Sequence, residues 1–339
     1  MKTIRLLPSG KEINAESGQT VLSALEKAGY ALPNNCRAGA CGECKAKVCS
    51  GEIDQGFILD MALPKSEREE GYGLMCMAKV KSDLIEIEYG TEDALPKLFP
   101  PMENLRYAVT EKTQVTPTIC RVRLRSLGKV MRFWPGQYVT MGDPENDIPD
   151  RCYSIANIPN HEGEILLYIT KVEDGKTSSW VHKEVKEGDM VKMNGPYGTF
   201  IGDPSAETPV LCLASGSGLA PIQSLATAAM LRGGFRKPAT VLFSARTRED
   251  LLEFGHFSFL KTKFRNFDYK YTLTREENPG GLTGRIPEIL PELYPDLSKH
   301  SIYIAGSTEF VESCTAKVKE LGAVDEFIHT EGFTSQVQA

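Results

Sequence analysis

The stretch CRAGACGEC, Cys36–Cys44, places three cysteines close together, and mostly small residues separate them. A fourth cysteine, Cys76, follows in GLMCMAK. Disulfides, zinc sites and redox centres all use clustered cysteines. The first residues, MKTIRLLPSG, lack the long apolar run of a secretory signal, so we expect a cytoplasmic protein with reduced thiols. A disulfide is therefore disfavoured.

Cys36, Cys41, Cys44 and Cys76 follow a C-x4-C-x2-C…C pattern, which is the ligand spacing of a plant-type [2Fe-2S] cluster. Iron prefers such soft, anionic thiolates. Small residues between the cysteines let the backbone wrap closely and direct N–H groups at sulfur. The four cysteines are therefore the candidate metal ligands.

Three other interpretations of these cysteines stay open. Structural zinc sites usually have two close ligand pairs, and only one C-x2-C occurs here. A dithiol made of Cys41 and Cys44 would leave the other two unexplained, and all four could be unligated buried thiols. Cys49, on the run KAKVCSG, is expected to be a thiol of the protein core, and Arg37 and Glu43 are expected to point outward.

Length and composition predict a globular protein of two or three domains, with 339 residues, 41% hydrophobic and 25% charged. A net charge of -6 argues against a nucleic-acid partner. Residues 208–231 carry no charge, but their glycines, serines and proline favour a strand, a turn and a helix over a membrane span.

Hydrophobic patterns predict three domains. Residues 1–92 are predicted to form a small α+β unit with strands at 2–7 and 84–89. A helix is predicted at 21–28, with Thr20 as its N-cap and Gly29 at its end. A proline-rich linker follows at 93–103. Short β-type runs predict an antiparallel β-barrel over 104–204. Strands alternate with helices over 205–339, which predicts a Rossmann-like parallel sheet.

Residues 1–90 resemble a plant-type ferredoxin domain, and the whole chain resembles the reductase components of bacterial multicomponent oxygenases, such as the phenol hydroxylase, methane monooxygenase and benzoate dioxygenase reductases. The resemblance implies a β-grasp ferredoxin domain, an FAD-binding barrel and an NAD-binding α/β domain. The iron-sulfur flavoprotein of deoxysugar biosynthesis shares this order. The resemblance also implies a terminal oxygenase as the partner, and we expect a monomer.

The segment RCYS, Arg151–Ser154, is the first flavin candidate. Residues two apart share one face of a strand, so a guanidinium suited to pyrophosphate lies beside a ring that can stack on flavin. Ser154 could reach the flavin ring. The segment resembles the R-x-Y-S motif of ferredoxin-reductase FAD domains, which makes Tyr153 and Ser154 candidate catalytic residues; a plain barrel strand is the alternative.

Two further segments and one tyrosine join the flavin candidates. Gly175, Lys176, Thr177 and Ser178 begin a predicted helix, whose N–H groups favour a phosphate. The resemblance assigns the FAD pyrophosphate there. GPYG, with Gly195 and Gly198, is similar to the G-P-x-G turn of the family, although a β-turn would also explain it. Tyr168, in ILLYITKV, is the remaining candidate.

The segment ASGSGLAP follows an apolar strand and opens a helix, which suits a dinucleotide phosphate. It is similar to the family's G-x-G-L-A-P loop and makes Gly216, Gly218 and Pro221 candidates. After the next strand come Ser244 and Arg246, positions that meet the ribose. An arginine there could hold the 2′-phosphate of NADPH, but similar reductases use NADH, which we favour; a solvated charge is the alternative.

Two residues near the carboxyl end complete the set. SIYIAGSTEF resembles the element below the nicotinamide, but Ala305 stands where cysteine is common, so a catalytic thiol is not expected, while Gly306 still permits close approach. Phe333, in TEGF, stands where the family has an aromatic residue beside the flavin; packing alone would also explain it.

These sites predict an NAD(P)H-dependent flavoprotein oxidoreductase. NADH delivers two electrons at once, whereas a [2Fe-2S] cluster carries one, and a flavin converts between them. The expected order is NADH, FAD, cluster and an oxygenase that acts on aromatic or hydrocarbon substrates. Electron donation to a deoxysugar dehydrase, an autonomous flavin reductase or diaphorase, and a redox-sensing protein are the alternatives.

Overall fold

The computed structural model describes residues 2–90, 94–203 and 207–333, which form two compact units. The first contains the chain up to Met102 together with Gly195–Thr199, and the second contains Glu103–Asn194 and the chain from Phe200 onward. The predicted boundary positions 92, 93, 204 and 205 lie outside the described residues, so the domain limits stay predictions.

The helices and strands have the following bounds. The strands are β1 (Lys2–Leu7), β2 (Lys11–Ala15), β3 (Lys45–Ser50), β4 (Ile53–Asp54), β5 (Tyr72–Leu74), β6 (Lys79–Val80), β7 (Leu84–Glu88), β8 (Met102–Gln114), β9 (Ile119–Ser126), β10 (Tyr138–Asp143), β11 (Ile148–Ser154), β12 (Glu164–Thr170), β13 (Met190–Tyr197), β14 (Val210–Ser215), β15 (Ala239–Ala245), β16 (Phe267–Leu273), β17 (Leu282–Thr283), β18 (Ser301–Ser307) and β19 (Ile328–Phe333). The α-helices are α1 (Val21–Lys27), α2 (Lys65–Glu69), α3 (Lys176–Lys183), α4 (Leu219–Leu231), α5 (Phe254–Lys263), α6 (Ile286–Leu293) and α7 (Thr308–Glu320).

The first unit is an α+β fold built on a mixed sheet in the order β2-β1-β7-β3-β5. β1 pairs with β2 antiparallel and with β7 parallel, and its alternating residues Ile4 and Leu6 are buried in the core. Thr20 caps α1 by accepting a hydrogen bond from the Ser23 N–H, and Gly29 follows the helix at φ 83°. The predicted strands and helix are confirmed.

The proline-rich segment differs from the predicted linker. The N–H groups of Lys97 and Leu98 both donate to the carbonyl of Gly29, and Ala94 is buried in the core of the first unit. Strand β8 begins at Met102, inside the range predicted to be a linker. The segment is therefore packed on the first unit, because its backbone donors find a partner at the end of α1.

The second unit begins with an antiparallel sheet in the order β11-β10-β13-β8-β9-β12. A bridge between Ile155 and Leu167 joins its two edges, so the sheet closes into the predicted barrel. The closed sheet surrounds a core that includes Tyr107, Tyr138 and Leu124.

A parallel sheet follows, in the order β17-β16-β15-β14-β18-β19. The strand order reverses beside β14, and ligands of such sheets bind at the carboxyl ends of the strands where this happens. The uncharged stretch 208–231 forms β14, a short 3-10 turn and α4, as predicted. Within the described ranges, the helices are all too short or too polar to cross a membrane.

Candidate functional site

The loop that carries Cys36, Cys41 and Cys44, residues 36–44, is called the cysteine loop here, and it directs backbone N–H groups at sulfur. The N–H groups of Ala38 and Ala40 each lie 3.4 Å from the Sγ of Cys36, and the N–H of Cys76 lies 3.4 Å from the Sγ of Cys44. Such hydrogen bonds stabilise a thiolate and therefore a thiolate–iron bond. The loop thus offers the donor set that an iron-sulfur cluster needs.

The four predicted ligands come together as two thiol pairs, Cys36 with Cys41 and Cys44 with Cys76. The hydrogen bond from Cys41, helped by the N–H groups of Ala38 and Ala40, lowers the pKa of Cys36 to about 5 against the effect of burial. The hydrogen bond with Cys44 likewise lowers the pKa of Cys76. Among the residues described, no three metal-binding side chains converge as for a single ion. Two pairs of soft sulfurs fit a dinuclear cluster.

Two expectations about this region are wrong. Cys49 is exposed, not buried in the core, although it lies on strand β3 as expected. The pairing of β3 with β7 shifts register between Val48 and Ser50, so simple alternation does not predict the burial of this residue. Arg37 does not point freely outward, because its guanidinium contacts the buried carboxylate of Glu26.

The RCYS segment and the start of α3 lie on adjacent elements of the second unit. Arg151 and Tyr153 are two apart on β11, opposite Met141 and Val139 of β10. The Thr177 hydroxyl donates to the Pro149 carbonyl at 2.5 Å, which fixes the start of α3 against β11. The structure therefore brings RCYS and the α3 amino terminus together.

The start of α3 keeps the character of a phosphate site. Gly175 caps the helix without a side-chain hydrogen bond, and a Cβ there would lie 2.7 Å from the Ser178 Oγ. The Ser178 hydroxyl accepts from Val172 N–H, while the Lys176 ammonium pairs with Asp147. The side chains thus shape the turn, and the backbone N–H groups of the first helical turn are left to meet a phosphate, which fits FAD.

Ser154 has a partner that the sequence did not reveal, Glu331. The Ser154 hydroxyl donates to the Glu331 carboxylate at 3.0 Å, and both residues are buried. Burial raises the pKa of Glu331 to about 8, and the hydrogen bond from Ser154 offsets only part of that rise. The sequence did contain one signal for Glu331. It lies two residues before Phe333 on a strand, so the two side chains share one face, and Phe333 was already a flavin candidate.

The segment ASGSGLAP, residues 214–221, is called the nucleotide loop here, and its backbone packs closely against neighbouring strands. A Cβ at Gly218 would overlap the backbone of Ala305 and Gly306, and a Cβ at Gly306 would overlap the Ser215 hydroxyl. Gly216 adopts φ 54°, and Pro221 is buried in α4. The glycines therefore let the ends of β14 and β18 meet, as a dinucleotide phosphate site requires.

Side chains of the barrel hold this loop and helix. The Thr170 hydroxyl donates to the Ser217 hydroxyl at 2.9 Å, and the buried Tyr168 hydroxyl donates to the Gln223 side chain at 2.8 Å. Tyr168 is therefore engaged with α4 in the protein core. Its predicted role in cofactor binding stays a prediction.

The remaining candidates lie at strand ends or in turns. Ser244 is the next-to-last residue of β15, and the Arg246 guanidinium pairs with Asp250 at 3.0 Å. Phe333 ends β19 opposite Ser307 and is half-buried. Gly195 lies within β13 at φ 150°, and Gly198 directly follows that strand at φ 89°, conformations that favour glycine. Their contacts with cofactors stay predictions.

Three family models match successive parts of the chain. A 2Fe-2S iron-sulfur cluster binding domain matches residues 4–81, an oxidoreductase FAD-binding domain 106–201 and an oxidoreductase NAD-binding domain 212–316. The reductase component of phenol 2-monooxygenase from Pseudomonas sp. (strain CF600) is 35% identical over 78% of this chain and 74% of its own. The phenol hydroxylase P5 protein of Acinetobacter pittii (strain PHEA-2) is 31% identical over 98% and 94%.

Solved structures agree in fold over the whole length. The crystal structure of an Amycolatopsis cytochrome P450 reductase superposes with a TM-score of 0.88, at 29% identity and 99% coverage of both chains. The ferredoxin reductase of carbazole 1,9a-dioxygenase gives 0.78 at 23% identity, covering 98% of both. The chain therefore belongs to the family of oxygenase reductase components, in which a [2Fe-2S] domain precedes FAD-binding and NAD-binding oxidoreductase domains.

Proposed function

We propose that this protein takes electrons from NADH and passes them, through FAD and a [2Fe-2S] cluster, to the terminal oxygenase of an aromatic or hydrocarbon oxygenase system. One observation carries the proposal: two relatives of 31% and 30% identity, named as a phenol hydroxylase protein and an aromatic O-demethylase reductase subunit, each match 98% of the chain. The flavin supplies the change from two-electron to one-electron transfer.

The residues of the chain have the following proposed roles. Cys36, Cys41, Cys44 and Cys76 hold the cluster, and the α3 N–H groups with Arg151 hold the FAD pyrophosphate. Tyr153, Ser154 and Phe333 lie against the flavin, with Gly195 and Gly198 shaping a neighbouring turn. Gly216, Gly218, Pro221, Ser244, Arg246 and Gly306 form the nicotinamide-nucleotide site.

Proton storage is the proposed role of Glu331. A carboxyl with a pKa of about 8 retains its proton at neutral pH, and Ser154 is 3.0 Å from it. A buried protonated acid next to the RCYS strand could exchange a proton with a bound flavin whose protonation state changes, so Glu331 suits this site.

Preference for NADH is supported by the surroundings of Arg246. Its partner Asp250 also accepts hydrogen bonds from the N–H and the hydroxyl of Thr247. A fixed carboxylate next to this arginine would repel the 2′-phosphate of NADPH.

The electrons are proposed to leave by the cysteine loop, which would face the partner near Ala40. Large apolar side chains lie beside it: Phe57 and Met61 are 74% and 83% exposed, and the Leu59 N–H donates to the Gly39 carbonyl. Exposed apolar residues next to a redox centre suit a transient protein contact. One chain carries all three sites, so we expect a monomer, and the nine free cysteines suit the cytoplasm.

Purification and reconstitution test this proposal. The holoprotein should contain two irons and one FAD per chain, and NADH should drive product formation when an oxygenase component is added. A cytochrome P450 is the second candidate acceptor, because the P450 reductase structure covers 99% of the chain. Zinc in place of iron, or turnover with neither acceptor, would overturn the proposal.

A further inference from the structure

The cysteine loop is tied to α1 by a buried ion pair, Glu26–Arg37. Glu26 is only 3% exposed, in the same helix as the core residues Leu22 and Leu25. Both of its oxygens accept from the Arg37 guanidinium, at 2.6 and 2.9 Å. A buried carboxylate is costly unless it is paired, and bidentate arginine pairing is the most specific way to satisfy it.

Arg37 lies between a candidate cluster ligand, Cys36, and a backbone donor to that ligand, Ala38. It directly follows Cys36 and precedes Ala38, whose N–H donates to the Cys36 sulfur. Its backbone has φ 55°, a left-handed conformation that arginine rarely adopts and that surrounding contacts must hold. Fixing the Arg37 side chain therefore fixes the backbone that directs N–H groups at this ligand.

Two further contacts constrain the Arg37 side chain. Asn34 accepts a weak hydrogen bond at 3.5 Å from the same guanidinium, and its own amide is held by the Leu32 carbonyl. Within the same compact unit, the ring centroid of Tyr197 lies 4.1 Å from the guanidinium carbon. Glu26 carries the opposite charge, so it offsets the guanidinium charge beside the cluster.

We propose that the Glu26–Arg37 ion pair positions the cysteine loop and sets the reduction potential of the cluster. The inference rests on the proposed ligation by Cys36. A reduced [2Fe-2S] cluster carries one more negative charge than the oxidised one, so nearby positive charge favours reduction. Glu26 offsets the positive charge of Arg37 and keeps the potential lower than the arginine alone would set it.

Two charge-removing variants of the holoprotein test the pair with opposite expected results. In Glu26→Gln the arginine loses the negative charge of Glu26, so the ratio of reduced to oxidised cluster at a fixed ambient potential should rise about tenfold, or about 59 mV for one electron. In Arg37→Gln the ratio should fall when it is measured at a pH at which Glu26 keeps its charge, because burial raises the pKa of Glu26 and Arg37 no longer opposes that rise. The ratio is read from the electron paramagnetic resonance signal, and Glu16→Gln, which breaks the exposed Glu16–Lys27 pair, should leave it unchanged.

Arg37→Lys is a third variant, which still tests the ion pair if Arg37→Gln unfolds the loop. It retains the positive charge but not the bidentate contact, so the ratio should stay closer to the wild type than in Arg37→Gln. Loaded variants that keep the wild-type ratio, or that both shift in one direction, would overturn the role of the pair. Zinc in place of iron in the wild type would instead overturn the ligand assignment, so the two failures are distinguishable.

Discussion

The cysteine loop and the nucleotide loop are both rich in glycine, but they use it for different reasons. In the cysteine loop Gly39 and Gly42 have φ 70° and 81°, and the turns direct N–H groups at sulfur. In the nucleotide loop Gly218 has an ordinary φ of -59°, and the space beside it is filled by the backbone of β18. The first loop therefore depends on local conformation and side-chain anchoring, and the second on close packing between strands.

Removing a ligand should break the cysteine loop most severely. Cys44→Ser replaces a buried soft ligand, so the protein should lose its cluster and its NADH-driven cytochrome c reduction should fall to background, while ferricyanide reduction persists. Cys49→Ser is the matched control, since Cys49 is exposed on β3 and should leave both irons bound. Equal iron loss in both variants would contradict the ligand assignment.

The nucleotide loop should respond next, through packing. Gly218→Ala should force apart the ends of β14 and β18, because the added Cβ would overlap the backbone of β18. The resulting displacement of the nucleotide site should lower kcat/KM for NADH by about a hundredfold. Gly216→Ala meets no atom within 4 Å but stays at φ 54°, so its cost is mainly about 1–2 kcal/mol of stability. Steady-state kinetics and denaturant unfolding separate the two effects; a larger kinetic defect in Gly216→Ala would reverse the assignment.

A smaller change concerns nucleotide choice. Asp250→Asn removes the carboxylate beside Arg246, so the ratio of kcat/KM for NADPH to that for NADH should rise about tenfold. Glu276→Gln, which removes the partner of the neighbouring Arg248, serves as the control. An unchanged ratio in Asp250→Asn would show that Arg246 does not meet the ribose.

The last expected effect is on the pH dependence of stability. The folded-state pKa of Glu331 is raised to about 8 from an ordinary value of 4.5, so the folded state binds the proton more tightly and its stability falls as pH rises between those values. Glu331→Gln should flatten this slope. Urea unfolding of both proteins across that window measures it, and parallel slopes would mean that Glu331 titrates normally.

Local patterns predicted much of the fold. The strands expected at 2–7 and 84–89 are β1 and β7, the helix expected at 21–28 is α1, and the uncharged stretch 208–231 forms β14, a turn and α4. The four cysteines, RCYS and the glycine loop were recognisable because each keeps its chemistry within a few residues. Cys49 was misjudged because a register shift in a sheet is not encoded in the strand alone.

Contacts between distant residues could not be predicted in the same way. Ser154 and Glu331 are 177 positions apart, and only the packing of β19 against the barrel unit brings them together. Glu26 and Arg37 are 11 apart, but their pairing depends on how the loop turns back over α1. The described part of the proline-rich segment likewise packs on the first unit, through the burial of Ala94 and through the Gly29 carbonyl, which lies far away in sequence.

The most direct test of electron exit through the cysteine loop is anaerobic titration of the holoprotein with NADH, followed by addition of the oxidised oxygenase component. If electrons leave through this loop, the reduced [2Fe-2S] cluster gives a paramagnetic signal that approaches one spin per chain and disappears when the acceptor is added. Delivery of electrons to the same acceptor at an unchanged rate by the cluster-free Cys44→Ser protein would contradict it.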